Sequence, residues 1–512
     1  MTFVFAAICI GLAVSSASHA ITLIHTNDIL GEIEPCGCRT NPLGGMARQA
    51  NLLKQIKDPE VILIDAGDLL FPTPEIPQIL KKQSELQARY LLEAMDQIHY
   101  VAGVPGEKDF SLGLTTYKKL ISASKIQFLA ANLKTKSGLK FLASHLIVER
   151  KSVDGKKIKI AFIGLVGKEL KWPKELRASD PIAAAKAEVG ALRGKVDFIV
   201  AVTHEGFDDD KKLATAVKGI DYIVGGHSQS FLQAPITVEK TPIFQSSFRN
   251  QYVGEILMTK PFIPDNYLLV GLDAGFDSPA EMPSEMDALV KSFKAGIAEL
   301  NTTEAAVAQA TERQDAATGR KKIEFQTFPK CSECHLKQFD YWRHTQHSQA
   351  MVPLIEKEQI SNKECLMCHT VGLGAPNGFT DVTKLAQVGD TTLPVTDLAE
   401  YLKQIHSAAS LKDKVKLRST DRAFPIRKTL RDLSRAWAPV QCENCHKAGG
   451  DHPFSGSYSK TVATTTCMAC HNPERAPDWY NSAGKPNEKL IAEKRASVTC
   501  PAGNLDDSEL DE

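Results

Sequence analysis

Residues 61–70, Val61-Ile-Leu-Ile-Asp-Ala-Gly-Asp-Leu-Leu70, run apolar for four residues and then break on Asp65 and on Gly67-Asp68. A short, continuous apolar run rich in Ile and Val, with no polar alternation, predicts a strand buried on both faces, as in the sheet of an α/β domain. The same pattern recurs in ITLIHTND (21–28), IQFLAANL (126–133), IKIAFIGLVG (158–167), VDFIVAVTHEG (196–206) and IDYIVGGHSQS (220–230). Helix-like segments such as PIAAAKAEVGALRGK (181–195) separate these runs. Polar residues collect at the C-terminal ends of the strand-like runs: Asp28, Asp68, Glu107, His204 and His227. An open α/β sheet builds its site along that edge, so these are the candidate site residues of the first part of the chain.

With 512 residues, the chain exceeds one ordinary core. At roughly 150 residues per domain, two to four units are expected. Apolar residues make up 43% and charged residues 24%, and the formal net charge is zero. That balance describes an ordinary folded protein and offers no electrostatic ground for a nucleic-acid partner. Residues 1–20 hold an apolar run from Phe3 to Val14 and then small residues ending Ser18-His19-Ala20. This is the form of a signal peptide cleaved after Ala20, although no Lys or Arg precedes the run; a first buried strand or an anchor is the alternative. Export to a bacterial periplasm is the expectation. No later stretch reaches the ~18 apolar residues a membrane span needs, so no transmembrane segment is expected after cleavage.

Twelve cysteines in an exported chain would point to disulfides, but their spacing does not. Eight of them form four copies of Cys-x-x-Cys-His: Cys331, Cys334 and His335; Cys365, Cys368 and His369; Cys442, Cys445 and His446; Cys467, Cys470 and His471. This is the attachment signature of c-type haem. Two thiols on one turn reach the two vinyl groups of the porphyrin, and the following imidazole becomes the proximal iron ligand. Random order would produce about 0.01 such motifs in a chain of this composition. A pair of zinc ribbons would use the Cys pairs but would not require the histidines. Four haem c groups are therefore expected. Beyond Lys330 the remaining histidines are His344, His347, His406 and His452. They are the candidate distal ligands, with a surface role the alternative for His406.

The segments FDYWRHTQHSQAM (339–351), CLMCHTVGLG (365–374) and CENCHKAGGDH (442–452) resemble the multihaem cytochrome c-554 family, over roughly Phe328 to Pro473. The resemblance implies His347 and His452 as distal ligands and allows one iron to remain five-coordinate. With about 35 residues per haem, the porphyrins would form much of the core and make an electron wire.

The strand ends, NDILG (27–31), AGDLL (66–70), GEKDF (106–110), THEG (203–206) and GGHSQ (225–229), resemble the 5'-nucleotidase branch of the metallophosphoesterases, over roughly Ile21 to Phe276. The resemblance implies an α/β/β/α sandwich and two metal ions bridged by Asp68. One ion would take Asp68, Glu107, His204 and His227. The other keeps Asp28 and Asp68, but the two histidines of the family are Leu30 and Gln229 here, and the catalytic histidine is Lys108. Leucine ligates nothing and glutamine is a poor ligand for a transition metal, so one metal position is expected to be lost. The remaining set suits one divalent ion, Zn, Fe or Mn. Lys108 is the expected counter-charge for Asp28 and the candidate catalytic residue.

The expected organisation is a signal peptide (1–20), a metallophosphoesterase-like α/β domain (21–276), a helical connector (277–325), a mainly α, loop-rich tetrahaem domain (326–475) and a flexible acidic tail (476–512) that holds Cys500. Met286, Leu289, Val290, Phe293, Ile297 and Leu300 line one side of the connector. The pair Cys36 and Cys38 is not needed for phosphoester chemistry, and a redox or soft-metal role stands beside a small disulfide or idle thiols. The leading expectation is an exported tetrahaem cytochrome transferring electrons, with periplasmic or membrane redox proteins as partners. Its phosphoesterase-like domain binds a ligand or metal or does redox-coupled chemistry. The alternative is a working hydrolase of phosphate or sulfur esters, of 5'-nucleotidase or thiosulfohydrolase type, acting on a small anionic substrate; a scaffold in a larger cytochrome assembly is the third reading.

Overall fold

The computed structural model describes residues 21–35, 42–152, 155–317, 325–375, 378–388, 391–407, 433–450, 452, 458–473, 475–481 and 485–502. The expected signal peptide, Cys36 and Cys38 lie outside the described residues. The chain forms two compact units: Met1–Cys36, Leu43–Ile76 and Gln87–Asp287 make the first, and Gly37–Pro42, Pro77–Leu86 and Ala288–Glu512 the second.

Fourteen strands build the first unit: β1 (Thr22–Thr26), β2 (Ile62–Asp65), β3 (Tyr100–Gly103), β4 (Gln127–Phe128), β5 (Leu133–Thr135), β6 (His145–Lys151), β7 (Lys157–Val166), β8 (Leu176–Ala178), β9 (Phe198–His204), β10 (Tyr222–Gly225), β11 (Ile236–Val238), β12 (Thr241–Phe244), β13 (Tyr252–Leu257) and β14 (Tyr267–Gly271). One six-stranded sheet has the order β14-β13-β1-β2-β3-β4 and the other β11-β12-β10-β9-β7-β6, while β5 and β8 pair apart. The first sheet is parallel from β1 to β4 and antiparallel at β13 and β14, and the second is parallel from β12 to β7 with an antiparallel strand at each edge.

The continuous apolar runs have a direct packing cause. Along β7, Ile158, Ile160 and Phe162 enter a cluster with Leu23 and Ile64 of the other sheet, while Ala161, Ile163 and Leu165 join the opposite face. Successive side chains point to opposite faces, so a strand with both faces covered must be apolar throughout. After helices α1 (Met46–Gln55), α2 (Lys81–Gln97) and α3 (Leu114–Ser122), α4 (Pro181–Leu192) and α5 (Phe207–Ala216) pack on the outer face through Ala185, Val189, Leu192 and Leu213. Asp180 caps α4 by accepting the Ile182 N–H, with Pro181 as the first helical residue. Each fully buried Ile, Leu or Phe contributes roughly 1.5–3 kcal/mol.

The run IQFLAANL is not one strand. Asn132 interrupts it: its amide bonds both the N–H and the C=O of Val166, as well as the Ser179 carbonyl, standing in for a missing backbone partner. Strand β3, which carries the Glu107 loop, and the antiparallel edge strands were not read from the sequence, because they are short or alternate in exposure.

His25 on β1 is fully buried, and neither ring nitrogen has a hydrogen-bond partner. It stacks on Tyr267 with ring centroids 6.0 Å apart. Burial pushes its pKa down to about 3. The unfolded chain, with histidine near 6.5, therefore binds a proton that the folded chain does not. That contribution is present above pH ~6.5 and is lost as pH falls toward 3. In urea titrations, His25→Leu is expected to give a shallower loss of stability between pH 6.5 and 4 than the native chain; parallel curves would contradict this.

Helix α6 (Glu285–Ala317) starts in the last residues of the first unit and continues into the second, bearing out the helical periodicity with Met286, Leu289, Phe293 and Ile297 buried. Short helices follow: α7 (Thr327–Cys331), α8 (Leu336–Trp342), α9 (Val352–Glu356), α10 (Lys363–His369) and α11 (Val395–Ser407). Their core gathers Phe328, Phe339, Trp342, Met351, Leu402 and Trp437. The stretch expected to be a flexible acidic tail instead contains the helix Glu488–Ala496, capped by the Asn487 side chain and burying Ile491. Tyr341 and Gln338 of α8 donate to the Ser497 and Pro501 carbonyls, which ties down the segment after that helix.

Candidate functional site

The parallel strands of both sheets end in loops that present Asp28, Asp68, Glu107, His204 and His227. Asp28, Asp68 and His227 all have left-handed backbones, with φ of 51°, 51° and 73°. Such angles are uncommon for residues with a Cβ and persist where surrounding structure fixes them. Leu30 and Gln229 keep the same conformation at φ 57° and 52°. The corners of the site are thus retained even where no ligand side chain stands.

Two glycines allow the loops to converge. A Cβ on Gly106 would lie 2.1 Å from Asp68 Oδ1, and one on Gly67 would lie 2.7 Å from His204 Nδ1. Asp109, which sequence reading did not single out, ties two loops together by accepting the Leu70 N–H at 2.7 Å and the Gly106 N–H at 2.8 Å. Burial, followed by the Asp68 charge, pushes its pKa up to about 7. Asn27 was also missed. It holds Asp28 by donating to Oδ2 at 2.9 Å, and it accepts the Ser246 N–H at 2.6 Å. The sequence signal for either was a place within two residues of a candidate ligand, Asp28 or Glu107.

Asp68, Glu107, His204 and His227 each bring one ligand atom to within 4.8 Å of the others. His204 is fully buried, and its Nδ1–H donates to the Ala66 carbonyl at 2.7 Å. That bond fixes the tautomer and turns Nε2 inward, 3.3 Å from Glu107 Oε2 and 3.5 Å from Asp68 Oδ2. His227 Nδ1 lies 3.5 Å from the same Glu107 oxygen. His204 Nε2, His227 Nδ1 and Glu107 Oε2 are all buried without a hydrogen bond of normal geometry. Orphaned buried polar atoms are costly, and here three of them converge. Two imidazoles and two carboxylates suit Zn, Fe or Mn, so these residues fit a divalent ion.

Asp28 stands outside this cluster of four. Its Oδ2 accepts the His227 N–H at 2.9 Å, and its Oδ1 has no partner. Burial, opposed first by the His204 charge, pushes its pKa up to about 6. Lys108 does not pair directly with Asp28 as the sequence reading expected. Its Nζ donates to Asp68 Oδ2 at 2.5 Å, and its backbone N–H donates to Asp68 Oδ1 at 2.9 Å. The 3-10 turn Lys108–Phe110 aims the backbone N–H at Asp68, and the long side chain curls to the same carboxylate. Burial opposes the charge on Lys108, but Asp68 outweighs it and raises the lysine pKa.

In the second unit the haem motifs are wound as single turns. The His335 N–H donates to the Cys331 carbonyl, and His471 N–H to that of Cys467. Cys365, Cys368 and His369 lie in α10, and Cys442, Cys445 and His446 form the helix Cys442–His446. None of the described cysteines is in a disulfide. The Nδ1 of His369 bonds the Ala350 carbonyl at 2.5 Å and that of His446 the Ser459 carbonyl at 2.7 Å, which leaves each Nε2 for a metal. Two non-attachment histidines face motif histidines: His452 lies 5.9 Å from His335 and His347 lies 6.2 Å from His471, centroid to centroid. Each of these two pairs would suit one haem iron, for which imidazole is a usual ligand. His344 and His406 face one another at 6.3 Å, each with Nδ1 on a backbone carbonyl.

The Cys331 thiol beside Cys442, together with burial, pushes the Cys442 thiol up, and Cys470 Sγ lies 4.0 Å from the Cys368 carbonyl. The first motif thus neighbours the third, and the second neighbours the fourth. Cys500 has no assigned role.

Residues 330–391 match the family described as cytochrome c554 and c-prime. A snake venom 5'-nucleotidase from Crotalus adamanteus is 28% identical over 241 residues, covering 44% of this chain and 39% of that protein. The 5'-nucleotidase of Homo sapiens is 31% identical over 227 residues, covering 41% of this chain and 38% of that protein. Among solved structures, the calcineurin-like phosphoesterase YfkN from Bacillus subtilis aligns with 55% of this chain and 98% of its own, at 20% identity and a TM-score of 0.45. The chain spans about two fifths of the length of these curated relatives. Its sequence is therefore 5'-nucleotidase-like in one part and cytochrome c554-like in another. Among the described residues, no helix is long and apolar enough to cross a membrane.

Proposed function

We propose that this chain is an exported tetrahaem c-type cytochrome that transfers electrons, and that its 5'-nucleotidase-like unit holds one divalent metal ion. Four Cys-x-x-Cys-His motifs, two of them with a further histidine facing the motif histidine, carry the reading. The eight motif cysteines hold four haems by thioether bonds, and His335, His369, His446 and His471 are the proximal ligands. His452 completes the first haem and His347 the fourth, while His344 and His406, which face one another, are the remaining candidate imidazoles. Haem supplies one-electron redox chemistry; the protein sets its potential through axial ligands and burial. The partners are redox proteins of the periplasm or its membranes. Covalent haem that survives denaturation at four per chain, with a reversible reduced-minus-oxidised spectrum, is the expected result. Absence of covalent haem would overturn the reading.

In the other unit, Asp68, Glu107, His204 and His227 hold one Zn, Fe or Mn ion, and the position built from Asp28, Leu30 and Gln229 holds none. A bound ion would supply Lewis acidity. The chain itself orients His204 through Ala66, presents Glu107 between the two imidazoles, and places the Lys108 ammonium beside Asp68. The convergent orphaned ligand atoms also favour a second reading, hydrolysis of a small phosphate or sulfur ester at this centre. Turnover of such esters by the metal-loaded protein, lost on chelation, would establish that reading, and inactivity on phosphate esters and thiosulfonates alike would exclude it.

A further inference from the structure

We propose that the Lys108 ammonium is the resident cation of the metal position built from Asp28, Leu30 and Gln229, so that the centre takes a single divalent ion and carries its second cation on its own chain. The inference rests on the metal reading above and assigns Lys108 a role within that site.

Three observations carry it. Lys108 engages both oxygens of Asp68, one with its backbone N–H and the other with Nζ. Its side chain is 15% exposed and Asp68 is fully buried, so the pair is shielded from water. A second metal bridged by Asp68 would have to displace that ammonium from a short, charge-assisted bond. Next, Asp28 is fully buried with Oδ1 unpartnered, and a buried carboxylate needs positive charge within reach. The Lys108 charge acts on both Asp28 and Asp68, as does that of His204, whose proton a bound metal would displace. Finally, Leu30 and Gln229 occupy left-handed corners matching those of Asp28 and His227, yet Leu30 offers no donor atom and Gln229 only an amide.

Charge balance points the same way. Asp28, Asp68 and Glu107 together carry three negative charges when ionised. One divalent ion and one ammonium carry three positive charges, whereas two divalent ions beside the lysine would carry five. Buried charge is tolerated when it is compensated, so the one-metal arrangement is the balanced one. The ammonium has three N–H donors and places one on Asp68, which leaves two for water or an oxyanion.

The test counts zinc bound per full-length chain by elemental analysis after equilibrium dialysis against zinc. Native protein is expected to bind one equivalent. The Leu30→His/Gln229→His variant restores both missing imidazoles but keeps Lys108, and should still bind one. Adding Lys108→Asn to that variant should raise the count to two. Two equivalents in the native or doubly substituted chain would overturn the inference, as would one equivalent in the triple variant. No zinc in the native chain would instead overturn the metal reading on which it rests. Should the histidine variants fail to fold, Lys108→Met in the otherwise native, metal-free chain decides: a melting temperature lowered by several degrees supports a compensating cation, and an unchanged one contradicts it.

Discussion

Replacing His204 with alanine lowers divalent-metal affinity by at least about 100-fold while leaving the haem spectrum unchanged. Loss of a residue that merely orients a ligand costs roughly 10–100-fold, and His204 is itself a ligand candidate. Its Nδ1 is committed to the Ala66 carbonyl, and Gly67 lacks the side chain that would crowd it. The imidazole thus has one orientation, and alanine cannot recruit a neighbour to replace it. A pH dependence accompanies this. In the metal-free protein burial opposes charge on His204, but Asp68, Glu107 and Asp28 outweigh it and raise its pKa well above the usual histidine range. Metal must displace that proton, so apparent affinity rises with pH, by up to about tenfold per unit for one displaced proton. Isothermal titration at several pH values measures both effects. Native-like affinity in His204→Ala would remove the residue from the site.

The second large effect is expected at a haem. His347→Met replaces an imidazole opposite His471 with a thioether, and a Met/His pair raises the potential of haem iron. Axial ligands command a span of about 0.8 V, so a rise of more than about 100 mV confined to one haem in four is expected in a redox titration. His347 is well placed for this. Burial lowers its pKa, which favours the neutral ligand form, and its ring lies 6.2 Å from that of His471. His471 also stacks on Trp479 at 4.4 Å with the planes 3° apart, which restrains its ring. An unchanged titration would show that His347 is not an axial ligand.

Legibility of the sequence followed physical cause. The parallel strands could be read because burial on both faces leaves no room for polar residues, as along Ile160–Val166. The strand ends could be read because only a few residue types ligate metals, and four of the five proposed form one cluster. Asp28 is beside that cluster rather than in it, with one oxygen taken by the His227 N–H and the Asn27 amide. Side-chain reach was not legible: Lys108 is equally close in sequence to everything on its loop, and only the fold shows its ammonium on Asp68. Asp109 and Asn27 were missed for a related reason. They bond backbone N–H groups far away in sequence, and backbone groups leave no compositional mark. The edge strands alternate weakly, and the capped helix Glu488–Ala496 lies in polar sequence that carries little apolar periodicity. The haem motifs are the opposite case, since covalent chemistry dictates their spacing whatever the surrounding fold.

The most direct measurement is a joint count, on one preparation of the full chain, of covalent haem and of metal beyond haem iron. Four haems and one further divalent ion per chain are predicted. Fewer than four haems, or a further count of none or two, would contradict the account.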